Sequence, residues 1–140
     1  MNDVVINKIQ SIQRCIERAR DIYGSHAESF LEDYDAQDAA VLNIIRACDL
    51  SIDLANHLVK IYKMGIPTDS SESFELLYRK KVIPVDMLQT LKNMVGFRNI
   101  SVHEYKRIDY NIVISVIRKD LDGLIRFTEV IMDFVNGNPS

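Results

Sequence analysis

Apolar residues spaced three or four apart constrain the fold of this 140-residue chain more than any other feature. Such spacing places apolar side chains on one face of an α-helix, and no stretch of the sequence alternates polar and apolar residues as a strand would. The pattern therefore predicts an all-α protein with three long amphipathic helices. Their apolar stripes are Val5, Ile9, Ile12, Ile16, Ala19 and Tyr23; Leu42, Ile45, Cys48, Ile52, Ala55, Val59 and Tyr62; and Val113, Ile117, Leu121, Leu124, Phe127, Ile131 and Phe134.

Capping residues predict where these helices begin. Asp35 or Asp38 is expected to cap the second long helix, and Asp109 the last one. Between them, Pro84 is expected to be the first residue of a further helix, here called the motif helix, which follows a short one. The predicted architecture is an antiparallel, up-and-down bundle of three long helices, a motif helix and a short helix. We expect it to form a single domain over residues 1–140.

The composition is that of an ordinary globular protein, with 47% hydrophobic and 26% charged residues and a net charge of −3. This charge argues against a generally basic nucleic-acid-binding protein, although clusters such as Lys106-Arg107 leave local contact open. The first residues lack the basic region of a secretory signal, and no apolar run approaches the roughly 20 residues of a membrane helix. We expect a cytoplasmic protein with no membrane partner.

Several classes of catalytic site have no counterpart in the sequence. Cys15 and Cys48 lie on or beside apolar helical stripes, so core packing is the favoured role for both. There is no Cys-x-x-Cys pair, Gly-rich phosphate loop, Gly-x-Ser-x-Gly elbow or helical Glu-x-x-His pair. The sequence therefore indicates neither a metal site nor a cofactor.

Residues 98–105, Arg-Asn-Ile-Ser-Val-His-Glu-Tyr, concentrate side chains suited to phosphate chemistry. Arg98 supplies a permanent, forked cation, and His103 exchanges a proton near neutral pH. If the motif helix continues through this stretch, Asn99 and His103 share a face, whereas Arg98 and His103 lie about 140° apart around the axis. The side chains of Arg98 and His103 converge if the helix ends near Val102, or if a second copy of the chain supplies the facing half of the site.

Each of these residues alone also has an ordinary structural explanation. Arg98 can pair with a neighbouring carboxylate, His103 can finish a helix, and Tyr105 can pack in the core with its hydroxyl in water. Gly96, inside the motif helix, indicates either close packing against another backbone or local fraying. Taken together, Arg98, Asn99, His103 and Tyr105 favour a functional site.

The run matches the pattern Arg-x4-His-x-Tyr, with the polar Asn99 directly after the arginine. Further agreement comes from the Asp-Ala-Gln-Asp-Ala-Ala segment at 35–40, the Val-Ile-Pro segment at 82–84 and the all-helical pattern. The chain thus resembles the HEPN superfamily over nearly its whole length. Within that superfamily it is similar to HepT-type toxins, which pair with minimal nucleotidyltransferase antitoxins of the MntA type.

The resemblance implies the toxin of a type VII-like toxin–antitoxin system, acting as a metal-independent endoribonuclease. The ribose 2′-hydroxyl of the RNA would attack the adjacent phosphorus and leave a 2′,3′-cyclic phosphate. His103 would move protons, Arg98 would stabilise charge on the phosphoryl oxygens, and Asn99 would orient the phosphate or the imidazole. Family members build this site across a homodimer, and we expect this chain to form a homodimer or a higher even oligomer. The RNA substrate stays open, with tRNA as one candidate.

The resemblance also implies that Tyr105 accepts AMP from the partner nucleotidyltransferase and that this modification silences the toxin. Each AMP would bring negative charge and a bulky base close to Arg98. Tyr105 must then be exposed, and Tyr110 is the better candidate for a packed tyrosine. Two alternatives remain: a non-catalytic nucleotide-binding or substrate-presenting subunit of a nucleotidyltransferase, and an inert helical scaffold.

Overall fold

The computed structural model describes residues 2–139, and every regular element among them is helical, which confirms the predicted all-α fold. None of these helices is long and apolar enough to cross a bilayer. Single 3₁₀ turns lie at Phe30–Glu32 and Tyr105–Arg107, and a π-helical turn, Val116–Asp120, joins the last two α-helices. The α-helices are α1 (Asn2–Ser25), α2 (Tyr34–Ile61), α3 (Glu72–Arg79), α4 (Val85–His103), α5 (Tyr110–Ser115) and α6 (Leu121–Gly137).

The motif helix, α4, is held by helices from both halves of the chain. α2 packs against α1, α3 and α4, and α6 packs against α1 and α4. The rings of Phe74 from α3 and Phe127 from α6 are buried and meet edge to face with their centroids 5.5 Å apart. Burial of apolar surface of this kind is the main favourable term in folding. The packing fixes α4 relative to α2, and this relation positions the functional residues.

The apolar stripes of the long helices are confirmed in part. Six of the seven residues predicted to be buried in the last long helix are buried, and Phe134 is half-buried. The prediction that Leu42 of α2 faces the core is wrong, because 45% of its surface is exposed. Neighbouring helices cover α2 on more than one side, so its buried residues extend beyond the predicted stripe and include Ala47 and Ser51.

The cap of α2 lies earlier than predicted. Asp33 precedes the helix with an extended backbone, and its carboxylate accepts a hydrogen bond from the Ala36 N–H at 3.0 Å. An aspartate in this position typically stabilises a helix by about 1 kcal/mol. Asp35 and Asp38, the predicted caps, lie inside the helix. Asp109 caps α5 as predicted and accepts from a backbone N–H two residues further on at 2.9 Å.

Gly123 allows α6 to approach α4 closely. A Cβ atom at this position would lie 2.6 Å from Cγ2 of Thr90 on α4, well inside the contact distance of two carbon atoms. Protein interiors are close-packed and tolerate little added volume. Gly123 therefore sets how deeply the C-terminal helix sits against the motif helix.

Candidate active site

The motif helix ends one residue after Val102, and His103 is its last helical residue. α4 begins after Pro84, which is its N-cap and not its first helical residue, and it ends at His103. The Glu104 N–H still donates to a carbonyl of the last turn at 2.8 Å. The helix thus ends near Val102 as expected, but His103 is still part of it. Arg98 and His103 stay about 140° apart on one continuous helix.

Arg98 is held by a carboxylate on the neighbouring helix α2. Its Nε donates to Oδ1 of Asp49 at 2.7 Å, and its Nη2 donates to Oδ2 of Asp49 at 3.5 Å. Its Nη1 donates to Oδ1 of Asn99 at 3.3 Å. The Arg98 side chain is 25% exposed and that of Asp49 is 44% exposed. The guanidinium is thus fixed in orientation on two sides and still reaches solvent, as a phosphate-binding arginine must.

Within residues 2–139, neither a reactive thiol nor a metal cluster accompanies the motif. Burial, and after it the charge of the adjacent Asp49, raise the pKa of Cys48 to about 12, although Arg98 acts in the opposite direction. The thiolate is the reactive form, so this buried thiol packs in the core as the sequence predicted. No group of three or more His, Cys, Asp or Glu side chains in this part of the chain is arranged to hold a metal ion.

His103 is the last residue of α4, and its side chain is exposed. In the described part of the chain, none of the ion pairs involves this histidine. It lies on the helix face that also carries Asn99 and Gly96, because these residues are four and seven positions away. An exposed imidazole without a fixed partner can accept or donate a proton at a bound substrate.

An apolar groove borders the Gly96 side of α4. Gly96, Phe97 and Ile100 line it together with Ile108 and Ile112, around a cavity of about 370 Å³. A Cβ atom on Gly96 would meet no described atom within 4 Å, so close packing inside the chain does not explain this glycine. Ile100 and Ile112 are 38% and 53% exposed. An exposed groove with this lining is typical of a surface that contacts another protein.

Tyr105 lies in the 3₁₀ turn after α4, and 65% of its surface is exposed. Its ring borders a shallow groove of about 190 Å³ with Leu42 and Tyr110. Tyr110 is half-buried, and burial followed by the charge of Asp38 raises its pKa. The predictions of an exposed Tyr105 and a packed Tyr110 are both confirmed. Tyr105 is thus the more exposed of these two tyrosines.

Known proteins with similar sequences place the chain in a family. Residues 12–131 match the family described as Ribonuclease HepT-like. The chain is also 41% identical over 131 residues to the mRNA nuclease HepT of Shewanella oneidensis, which covers 94% of this chain and 98% of that protein. This chain belongs to the HepT-like ribonuclease family. The predicted family is thereby confirmed.

Solved structures show that this HepT-like protein shares its fold with a toxin. The tri-AMPylated HEPN toxin of Shewanella oneidensis, in complex with MNT antitoxin, matches it with a TM-score of 0.90 at 41% identity, over 95% of this chain and 99% of that one. YutE of Bacillus subtilis, a cytosolic protein of unknown function, matches with a TM-score of 0.77 at 17% identity, over 94% of this chain and 90% of that one. The similarity to YutE shows only that the two proteins share a fold.

In this HepT-like protein, Asp49 pairs with Arg98 of the motif. Asp49 was not among the residues predicted for the site. A neighbouring carboxylate was expected as one possible partner of Arg98, but its position in the sequence was not. The available signal was a carboxylate directly after Cys48, a residue of the buried stripe. The structure brings Asp49 and Asn99 to Arg98, and it leaves His103 and Tyr105 exposed at the end of α4.

Proposed function

We propose that this protein, as one HEPN-like domain over residues 1–140, is the endoribonuclease toxin of a type VII-like toxin–antitoxin pair and cleaves RNA without a metal ion. The observation that carries the proposal is the guanidinium of Arg98, fixed by Asp49, with the exposed His103 further along the same helix. A fixed cation and a group that exchanges protons serve the two needs of phosphodiester cleavage. The names of the Shewanella relatives, an mRNA nuclease and a toxin bound to an antitoxin, support the same activity.

The proposed reaction uses the nucleophile that RNA itself carries. The ribose 2′-oxygen forms a bond to the adjacent phosphorus as the bond from phosphorus to the 5′-oxygen of the next nucleotide breaks. The imidazole of His103 accepts the 2′-hydroxyl proton, and water or a protonated imidazole gives a proton to the leaving 5′-oxygen. Arg98 donates to the non-bridging oxygens, whose charge grows in the transition state, and Asn99 orients the phosphate or the imidazole. The products are a 2′,3′-cyclic phosphate and a 5′-hydroxyl.

A second copy of the chain completes this site. Arg98 turns toward α2, whereas His103 lies far around the helix, so one α4 does not present both side chains to one phosphate. The exposed groove of Gly96, Ile100 and Ile112 borders the face that carries His103. A second copy whose His103 reaches Arg98 would complete the site, and closed two-fold dimers are the commonest soluble oligomers. We therefore propose a homodimer, or a higher even oligomer built from it.

Tyr105 is the proposed acceptor of AMP from a partner minimal nucleotidyltransferase. Its phenolic oxygen would form a bond to the α-phosphorus of ATP, pyrophosphate would leave, and the phenolic proton would pass to solvent or to a base of the partner. The exposure of the Tyr105 ring supports this assignment, as does the AMPylated state of the Shewanella toxin. Each phosphodiester adds about one negative charge near Arg98, which repels RNA and competes for the phosphate position.

The chemistry of the RNA ends tests this function. Purified protein in excess EDTA should produce fragments that end in a 2′,3′-cyclic phosphate and begin with a 5′-hydroxyl, and His103→Ala should produce none. Cleavage that EDTA abolishes and Mg²⁺ restores would contradict the metal-independent reaction. RNA that stays intact with the wild-type protein would instead favour a non-catalytic subunit that presents a nucleotide or substrate to a nucleotidyltransferase.

Asp49 should act as a positioning residue for Arg98. We expect Asp49→Ala to lower kcat for RNA cleavage by roughly 10- to 100-fold with a smaller change in KM, because the guanidinium loses its fixed orientation. Asp49→Glu should recover part of the loss, which a purely structural role would not predict. The matched control is Asp53→Ala, one turn further along α2, where the carboxylate is exposed and in the described residues has no ion pair. Equal kcat values for both alanine variants would contradict this role.

A further inference from the structure

Three exposed side chains on α2 lie close to Tyr105 and are here called the α2 surface. Tyr34, Asp38 and Leu42 are spaced four residues apart, so they follow one another along one side of the helix. They extend about 12 Å along its axis, at 1.5 Å per residue. Tyr34 is 76% exposed, Leu42 is 45% exposed, and Asp38 is exposed as well. α2 thus presents an aromatic ring, a leucine and a carboxylate to solvent on this side.

A shared groove places the α2 surface beside the proposed AMP acceptor. Asp38 and Leu42 line the shallow groove of about 190 Å³ together with Tyr105 and Tyr110. Ile45, which is half-buried on α2, adds a further apolar side chain to the same lining. The groove therefore joins α2 to the turn that carries the phenol, although these two parts of the chain are distant in sequence.

The fold does not explain why these three residues stand on α2. Leu42 belongs to the apolar stripe that the sequence predicts to be buried, yet much of its surface meets solvent. Asp38 is one of the predicted caps of α2, but Asp33 is the residue that caps this helix. Tyr34 is the first residue of α2 and leaves most of its ring in water. Exposed tyrosine and leucine side chains beside a groove are typical of a surface that contacts another protein.

We propose that the α2 surface is the docking site of the nucleotidyltransferase that transfers AMP to Tyr105; this inference rests on the proposed acceptor role of that tyrosine. In the transfer, the phenolic oxygen bonds to the α-phosphorus of ATP, pyrophosphate leaves, and the phenolic proton passes to solvent or to a base of the partner. The enzyme must therefore cover the surroundings of the phenol during the reaction. An apolar side chain of the partner packs against Leu42 in the groove, and a partner cation meets the Asp38 carboxylate.

RNA is a poorer occupant of the α2 surface than a protein. Asp35 and Asp38 are both exposed and lie three residues apart on α2. Their carboxylates repel the phosphates of an RNA backbone. Lys106 belongs to the 3₁₀ turn that carries Tyr105, so the α2 side of the groove stays acidic. An acidic and apolar surface fits a protein face that offers a cation and an apolar side chain.

A second copy of this chain has a different groove available to it. That groove contains Gly96 and borders the face of α4 that carries His103. The groove beside Tyr105 instead contains Ser101 of α4. Gly96 and Ser101 are five residues apart, which places them about 140° apart around the helix. A second copy and the nucleotidyltransferase can therefore occupy different sides of α4.

Binding measured without ATP tests the α2 surface apart from the chemistry at Tyr105. In a calorimeter, the partner minimal nucleotidyltransferase should bind Tyr34→Ala/Leu42→Glu at least about tenfold more weakly than wild type, because an aromatic contact is lost and a charge faces an apolar side chain. The matched control is Tyr78→Ala/Ile66→Glu, which makes equivalent changes at exposed positions on α3 and in the loop before it. Circular dichroism should show unchanged helix content for both variants, since all four side chains are exposed.

The kinetics of AMP transfer distinguish docking from catalysis. With Tyr34→Ala/Leu42→Glu as the varied substrate, and with partner, ATP and Mg²⁺ present, KM should rise at least about tenfold while kcat stays within a few-fold of wild type. The reason is that the phenol of Tyr105 is unchanged in this variant. Asp38→Lys should also raise KM, whereas Asp53→Lys, at an exposed position further along α2, should not.

The outcomes separate this proposal from the proposed function. Equal affinity and equal KM for the surface variant and its control would overturn the docking site. Light scattering that shows monomers for the surface variant and dimers for the control would also overturn it, because a second copy would then occupy the surface. Wild type that binds the partner but gains no AMP would contradict the acceptor role of Tyr105, while weaker binding of the surface variant would still support docking on α2.

Discussion

A mixture of Arg98→Ala and His103→Ala proteins should regain about a quarter of wild-type RNA cleavage, although each variant alone should be slower by a factor of roughly 10² to 10⁴. The expectation follows from a site that takes Arg98 from one protomer and His103 from the other. Random exchange makes half of the dimers mixed, and each mixed dimer holds one intact site out of two. Rates measured after subunit exchange, at equal total protein, give the comparison.

Two measurements keep this result interpretable. Light scattering should show dimers or higher even oligomers for wild type and both variants, and circular dichroism should show unchanged helix content, since Arg98 is partly exposed and His103 exposed. Mixed dimers isolated with two different affinity tags that still do not cleave RNA would place both residues in one protomer's site. A monomer with full specific activity would remove the need for a second copy.

Tyr105→Phe should keep RNA cleavage within a few-fold of wild type and should resist silencing by the partner's enzymatic activity. The proposed proton transfers run through His103, so loss of the phenol removes only the acceptor oxygen. Incubation with the partner, ATP and Mg²⁺ should add AMP-sized mass increments to the wild type and none to Tyr105→Phe. Tyr110→Phe is the matched control and should be labelled like wild type, because its ring is half-buried where that of Tyr105 is 65% exposed.

Equal labelling of Tyr105→Phe and wild type would place the acceptor on another residue. Silencing of unlabelled Tyr105→Phe by stoichiometric partner would show that physical occlusion of the site is sufficient by itself. These two outcomes differ in whether mass is added, so intact-mass analysis and cleavage assays on the same samples distinguish them.

The fold was predictable to the extent that each helix buries one side. The last long helix buries one side, so the buried positions of its apolar stripe were predicted well. α2 is covered on more than one side, so a single stripe misplaced Leu42. Asp33, Asp35 and Asp38 are all chemically able to cap a helix. The extended backbone at Asp33 makes this residue the cap, and the sequence does not specify that backbone.

The candidate site was predictable where its residues are close in sequence. The pattern from Arg98 to Tyr105 supplied the candidates and the family, and the helical spacing of Arg98 and His103 left either a helix end near Val102 or a second copy to bring them together. Asp49 was not predictable in the same way, because it lies 49 residues from Arg98 on another helix. Such a contact depends on how α2 and α4 pack, and a single sequence read alone carries little information on that packing. The open surroundings of Gly96 were hidden for the same reason.

The packing of α6 against α4 also bears on when the proposed active site forms during synthesis of the chain. Arg98 and His103 leave the ribosome before residues 121–137, so the helix that carries them lacks its packing partner at Gly123 while translation continues. Chains fold as domains once their packing partners are present. On the proposed function, the site of a nascent chain is therefore incomplete until its last helix is made, and for longer because a second copy must also bind. In the proposed toxin–antitoxin pair, this delay gives an antitoxin already present in the cell time to bind first.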